Sequence, residues 1–164
     1  MRTHAPAPER TDGEASNPGP DAKPDSAPLD SLSLISTNVT SLVTRFGSVV
    51  AMDADIIIIT EPRLTLAGQR HFDVLFHKAG YSVEWGGACK RKTSGRVRPG
   101  GVAIAVKLHL TARQQKPDNE HRQRLWDAGR LMHVTVPVQG CCLHLLGVYG
   151  FTNSARDQQQ RLQN

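Results

Sequence analysis

The sequence predicts an α/β domain: a mixed sheet with helices packed outside it. Three observations carry this expectation. The run "IIII" at 56–59 has no period of two or of 3.6, so both faces of that segment are apolar, which suits a fully buried central strand. An alternating segment at 32–36 precedes it, and residues with apolar positions at helical spacing lie between the two. Strand, helix and buried strand make a β-α-β unit, whose crossover is right-handed almost without exception. Further apolar segments at 102–106 and 130–149 supply the remaining strands.

The elements follow in order. Residues 1–30 are rich in Pro, Ala, Asp and Ser with almost no large apolar side chain, and a disordered tail is expected there. Within it "EASNPGP" resembles the end of ribosome-skipping peptides but lacks their acidic-aliphatic-acidic triplet; a Pro/Gly turn accounts for it. In "LSLISTN", Leu32, Leu34 and Ser36 alternate with Ser33 and Ile35, a strand leading to Asn38. Thr40 or Ser41 caps the next helix, where Leu42, Val43, Phe46, Val49 and Val50 recur at helical spacing and Asp53 closes the element. The isoleucine strand stops near Glu61, because Pro62 has no N–H to give to a ladder.

A second amphipathic helix places Phe72, Leu75, Phe76 and Ala79 on one face, with Gly80 as its stop. "YSVEW" is a strand, "GGACKRKTSGRVRPGG" (86–101) a Gly-rich basic loop, and "VAIAVK" the next buried strand. Residues 112–128 are polar and form a loop or short helix. "RLMHVTVPV" and "CCLHLLGVY" pair around Gln139-Gly140 as an antiparallel hairpin. Ser154 with Asp157 is a capping-box variant opening a last helix. Nothing follows for that helix to pack against, so an interrupted architecture is expected.

The 164 residues have room for one domain at most, 31–164, behind the 1–30 tail. No apolar run approaches the ~20 residues of a membrane helix, so no membrane partner is expected. The start lacks the apolar core of a secretory signal, and Glu9, Asp12 and Glu14 argue against a transit peptide. Cys89, Cys141 and Cys142 show no framework spacing. They are expected to be reduced, buried small residues of an intracellular protein, nuclear or cytoplasmic. No C-x-x-C or Cys/His cluster points to zinc. Residues 1–30 carry three basic and six acidic side chains, a net of −3, so the body carries +8 of an overall +5. A basic body fits a nucleic-acid partner, although many basic proteins bind none specifically.

Two polar residues stand out by position. Asn38 and Glu61 leave equivalent ends of two strands of the β-α-β unit, at the carboxyl edge where α/β sheets open their ligand crevices. The alternative reading of Glu61 is a solvated acid starting a loop, and of Asn38 a turn residue.

Taken in order and spacing, "LSLISTNVTSL", "DADIIIITEPRLT", "AGYSVEWGG", "GGVAIAVK" and "LHLLGVYGFTNS" resemble the first half of the endonuclease/exonuclease/phosphatase family, the DNase I-like metal-dependent phosphodiesterases. The likeness runs over about 32–153 and is closest to the endonuclease domains of non-LTR retroelements. It implies a partial DNase I-like α/β sandwich whose second half is missing. It further implies that Glu61 is the principal ligand of Mg²⁺ or Mn²⁺ and that Asn38 helps order metal and phosphate. Arg63 would face the nucleic acid, Tyr149 would approach the scissile phosphate, and Asn153 would lie near it, one residue out of the family's spacing. Lys90, Arg91 and Lys92 would track the phosphate backbone without sequence readout; a solvated surface is their other reading.

The departures are as informative. Thr37 and Thr60 replace a Trp and a Gln, and Thr40 holds a position that is often Asp or Asn. No "GDxN" and no "SDH" occurs, and the seven histidines read as surface or interface residues. Without a general acid or base, metal and positioning alone lose several orders of magnitude in rate. Two functions are therefore expected side by side: a truncated, endonuclease-like phosphodiesterase, or an inactive fragment or retroelement relic that holds nucleic acid weakly. With the partner sheet absent, the apolar faces of "IIIIT" and "VAIAV" are expected to be incompletely covered, favouring self-association.

Overall fold

A β-α-β unit comes first in the computed structural model, which describes residues 31–89 and 100–150. The expected tail, the basic-loop residues Lys90, Arg91 and Lys92, Asn153 and the Ser154 cap lie outside the described residues. Strand β1 (Leu34–Asn38), helix α1 (Leu42–Val50) and strand β2 (Ile56–Thr60) follow as the pattern dictates. β1 and β2 pair in parallel, from Leu34 opposite Ile56 to Asn38 opposite Thr60. Helix α2 (Leu66–Lys78) starts at Thr65, whose hydroxyl accepts from the Gly68 N–H at 3.3 Å, and ends where Gly80 takes φ 88°. β3 (Tyr81–Trp85) and β4 (Val102–Lys107) complete a mixed sheet in the order β1-β2-β4-β3, with β4 antiparallel to both neighbours.

The second half of the described chain builds a second sheet. A short β5 (Arg113–Gln114) precedes α3 (Glu120–Asp127), capped by Asn119 through the Arg122 N–H at 2.9 Å. β6 (Leu131–Val138) and β7 (Cys141–Val148) form the hairpin, and the three strands lie in the order β5-β6-β7. Gln139 and Gly140 both have positive φ, 39° and 80°, as a tight two-residue hairpin turn requires.

The two sheets explain the isoleucine run. Ile57, Ile59, Ala103 and Ala105 face the helices and pack with Leu42, Val49, Phe72 and Phe76. Ile56, Val102, Ile104 and Val106 face the other way, onto Met132, Val134, Val136 and Leu145 of the second sheet. A central strand with both faces buried has no use for alternation, and each fully buried aliphatic contributes about 1.5–3 kcal/mol.

Here the structure corrects the expectation of bare faces on β2 and β4. The period-two pattern of "LMHVTVPV" aims Met132, Val134 and Val136 at one side, and that side covers the first sheet. In the alternating β1, an edge strand, Leu34 is exposed and Ile35 packs on the helix side. A smaller correction concerns the cysteines. Cys141 and Cys142, expected to be buried, are exposed at the start of edge strand β7; Cys89 is half-buried. No helix among the described residues is long and apolar enough to cross a membrane.

Candidate active site at the carboxyl ends of β1 and β2

Glu61 is the first residue past β2, and the chain there is held in an unusual shape. Glu61 and Arg63 take φ 55° and 53° on either side of Pro62, and Thr40, past the end of β1, takes φ 56°. Left-handed backbone at a non-glycine residue costs of order 1 kcal/mol or more and persists only where the surroundings enforce it. The enforcing contacts are visible. The Glu61 N–H donates to the Gly101 carbonyl at 3.1 Å and the Arg63 N–H to the Gly100 carbonyl at 3.2 Å. Gly101 itself has φ 93°, and a Cβ there would lie 3.1 Å from Pro62 Cγ. On the other side the Leu42 N–H donates to the Pro62 carbonyl at 3.1 Å and the Val39 N–H to the Thr60 carbonyl at 3.1 Å. Helix α1, the Gly-Gly entry to β4 and the turn after β2 thus fix one another.

Glu61 is buried, with 12% of its side chain exposed, and its carboxylate accepts from two donors. Its Oε1 accepts from the Tyr149 hydroxyl, and its Oε2 from Arg63 Nη2 at 2.8 Å. Tyr149 follows β7, so its ring reaches from the second sheet to the rim of the first. It is fixed there by its own N–H, which donates to the Arg130 carbonyl at 2.9 Å, and by the Arg130 guanidinium 5.2 Å from its ring centroid. Asn38 sits opposite Thr60 in the ladder, which places it one strand over from Glu61 at the same edge. Its Oδ1 accepts from the Thr40 N–H at 3.0 Å, and the side chain borders an open hollow of about 430 Å³ with Thr40, Ser41, Thr44 and Arg45.

Of the residues expected from the sequence, the structure joins Glu61 and Tyr149 directly and brings Asn38 to the same edge. Arg63 pairs with Glu61, while its Nε is buried without a hydrogen-bond partner among the described residues. Gly100, Gly101 and Arg130 were not singled out in the sequence. A Gly-Gly pair before a buried strand is a legible signal for close backbone approach; nothing local marks Arg130.

Among the described residues no three His, Cys, Asp or Glu side chains gather into a metal cluster. The Glu61 carboxylate and the Asn38 amide oxygen stand at this rim among the described residues, and oxygen donors of this kind suit a hard cation that retains most of its water.

The two layered sheets, the outer helices and the strand-end Glu61 define a DNase I-like α/β fold. No family model matches the sequence, and no curated protein matches it. Among solved structures, the chain is similar to an AP endonuclease from Archaeoglobus fulgidus (23% identity, TM-score 0.54, 81% of this chain and 48% of that one). It is also similar to a 3′ phosphatase from Neisseria bound to a product DNA hairpin (18%, 0.52, 80% and 48%) and to an AP endonuclease from Leishmania major (14%, 0.51, 79% and 43%). These likenesses establish the fold, and this chain spans about half the length of those proteins.

Proposed function

We propose that this chain carries the metal-binding half of a phosphodiesterase site that acts on nucleic acid in the manner of an endonuclease. The observation that carries the reading is the buried Glu61 carboxylate, held on a strained turn at the end of a central strand and oriented by a tyrosine from the opposite sheet. A solvated loop acid needs none of these supports. The oxygen donors fit Mg²⁺ or Mn²⁺, with Glu61 as the ligand and Asn38 beside it. When bound, such an ion polarises a phosphoryl oxygen and stabilises charge on the leaving oxygen.

The chain's own residues do the rest. Tyr149 holds one carboxylate oxygen in place through Oη. Arg63 neutralises the other oxygen, and its partly exposed guanidinium is a cation that a substrate phosphate could meet at this rim. Arg45 and the hydroxyls of Thr40, Ser41 and Thr44 line the adjoining hollow, where the phosphate backbone would rest. Lys90, Arg91, Lys92 and Asn153 keep the phosphate-contacting roles that the resemblance implies. The AP endonucleases and the 3′ phosphatase share the fold, and that agrees with DNA as the substrate class.

A second reading has its own observation. The 164 residues contain neither Gly-Asp-x-Asn nor Ser-Asp-His, so no proton-transfer group of the expected kind is present. Under it the chain binds nucleic acid through charge alone and cleaves nothing. Nicking of supercoiled plasmid separates the two. Mg²⁺-dependent nicking that falls by about a hundredfold or more in Glu61→Gln supports the first. Salt-sensitive binding with no cleavage, unchanged in that variant, supports the second.

A further inference from the structure

We propose that His133 and His144 form a second cation site, for a borderline transition-metal ion such as Zn²⁺, Ni²⁺ or Cu²⁺, on the outer face of the β6–β7 hairpin. The register places Leu146 opposite His133 and Thr135 opposite His144, so the two histidines are diagonal neighbours on one face. His133 Nε2 and His144 Nδ1 lie 3.0 Å apart, with the rings tilted by 38°. An ion held at about 2.0–2.1 Å from two imidazole nitrogens sets them about 3.3 Å apart in a tetrahedral shell and about 2.9 Å in a square-planar one. The observed separation falls between these values, so the two nitrogens already stand at the right distance, and binding requires the rings to turn until both lone pairs converge on the ion instead of along the line between them.

The scaffold is rigid where it matters. Met132 and Val134, which flank His133, are fully buried, and Leu145 beside His144 is buried too. The imidazoles therefore stand on backbone that the sheet interface fixes, while His133 is half-buried and His144 exposed. A hollow of about 130 Å³ adjoins His133, bordered by Gln115, Asp118, Arg122, Trp126 and Leu146. It offers room for the water molecules that complete a two-ligand shell. Asp118 is engaged by Arg122 at 2.8 and 2.9 Å, so the protein ligands are the two histidines alone.

The proton bookkeeping is simple. In the metal-free pair one ring donates N–H to the other. On binding, the donor ring moves that proton to its second nitrogen through solvent, and both facing nitrogens present lone pairs to the ion. Nitrogen donors select against Mg²⁺, which the oxygen set around Glu61 suits instead. The site lies on the face of β6 and β7 turned away from the first sheet, and it stands independently of the function proposed for Glu61.

The test is calorimetric titration of the full 164-residue chain with Ni²⁺ alone, with thiols alkylated beforehand so that cysteines do not contribute. Wild type should bind one ion that Mg²⁺ does not displace, and His133→Gln or His144→Gln should each weaken that binding by about tenfold or more. Equal binding in wild type and both variants overturns the site and leaves the pair as a hydrogen bond only. Wild type supplies a check that needs no variant: trace Cu²⁺ should broaden the amide resonances around 133 and 144 before any others. Broadening that starts elsewhere rejects the proposal.

Discussion

The Tyr149 hydroxyl donates to Oε1 of Glu61, joining two buried side chains that are 88 positions apart in the chain. The bond ties the second sheet to the rim of the first and sets the direction in which the carboxylate faces. Tyr149→Phe keeps the ring and removes only the donor. Stability should fall by about 1–3 kcal/mol, because a buried acceptor loses its partner. Mg²⁺-dependent cleavage should fall by about 10–100-fold, as happens when a ligand loses the group that orients it. Urea denaturation and plasmid nicking on the same preparation measure both. A variant that loses stability and keeps full cleavage would make Tyr149 a purely structural link.

Arg63 occupies the other carboxylate oxygen, and a cation bound there has to share it or displace the guanidinium. Arg63→Met should therefore tighten Mn²⁺ binding. The Arg63 side chain is 33% exposed and so screened by water; an ion pair of that kind is worth up to about 1 kcal/mol, which corresponds to roughly two- to fivefold in affinity. Nucleic-acid binding should weaken in the same variant. Titration of free Mn²⁺ by electron paramagnetic resonance reads the first effect directly. Weaker Mn²⁺ binding would show that Arg63 supports the carboxylate rather than competing for it.

Much of this site was legible in the sequence because it depends on local rules. A run of β-branched residues that ends in Glu-Pro marks a buried strand and its stop, and Asn38 falls at the equivalent end one crossover earlier. What was not legible depends on layers and registers. The alternation in "LMHVTVPV" showed that the strand had an apolar face, but not that this face would cover Ile56, Val102, Ile104 and Val106. Residues 112–128 gave only a loop or short helix; Asn119 and Glu120 fix the start of α3 by capping and charge, although no residue of that helix is buried. The His133–His144 contact arises from pairing across the hairpin turn, and no spacing along the chain announces it.

The closeness of the two sheets depends on Gly147. A Cβ added there would lie 2.5 Å from Val102 Cγ1 and 3.5 Å from Ile58 Cγ2. Gly147→Ala should destabilise the fold by about 1–3 kcal/mol through overpacking. Gly47 in α1 is the useful contrast, since an added Cβ there meets nothing within 4 Å. Gly47→Ala should stabilise by about 0.5–1 kcal/mol by lowering the entropy lost on helix formation. Denaturation midpoints that move in the same direction for both variants would contradict the sheet spacing described here.

Acid sensitivity should reside partly in Asp55, which precedes β2. Its carboxylate accepts from the Ser33 hydroxyl at 2.6 Å and the Ser33 N–H at 2.9 Å, and the Ser33 hydroxyl in turn accepts from the Asp55 N–H. These bonds hold the Asp55 pKa below the ordinary aspartate value, with Lys107 and His109 adding attraction and partial burial opposing them. A depressed folded-state value means that the unfolded chain takes up the proton first. The stabilisation is therefore complete above about pH 4, the unfolded range, and is lost as the pH falls through the folded-state value. Ser33→Ala removes the hydroxyl bond and should cost about 1 kcal/mol at neutral pH. The gap between wild type and variant should narrow below pH 4, as both carboxyls become protonated. Urea midpoints collected at neutral pH and in the acid range test this, and a gap that stays constant with pH would remove Asp55 from the account of acid unfolding.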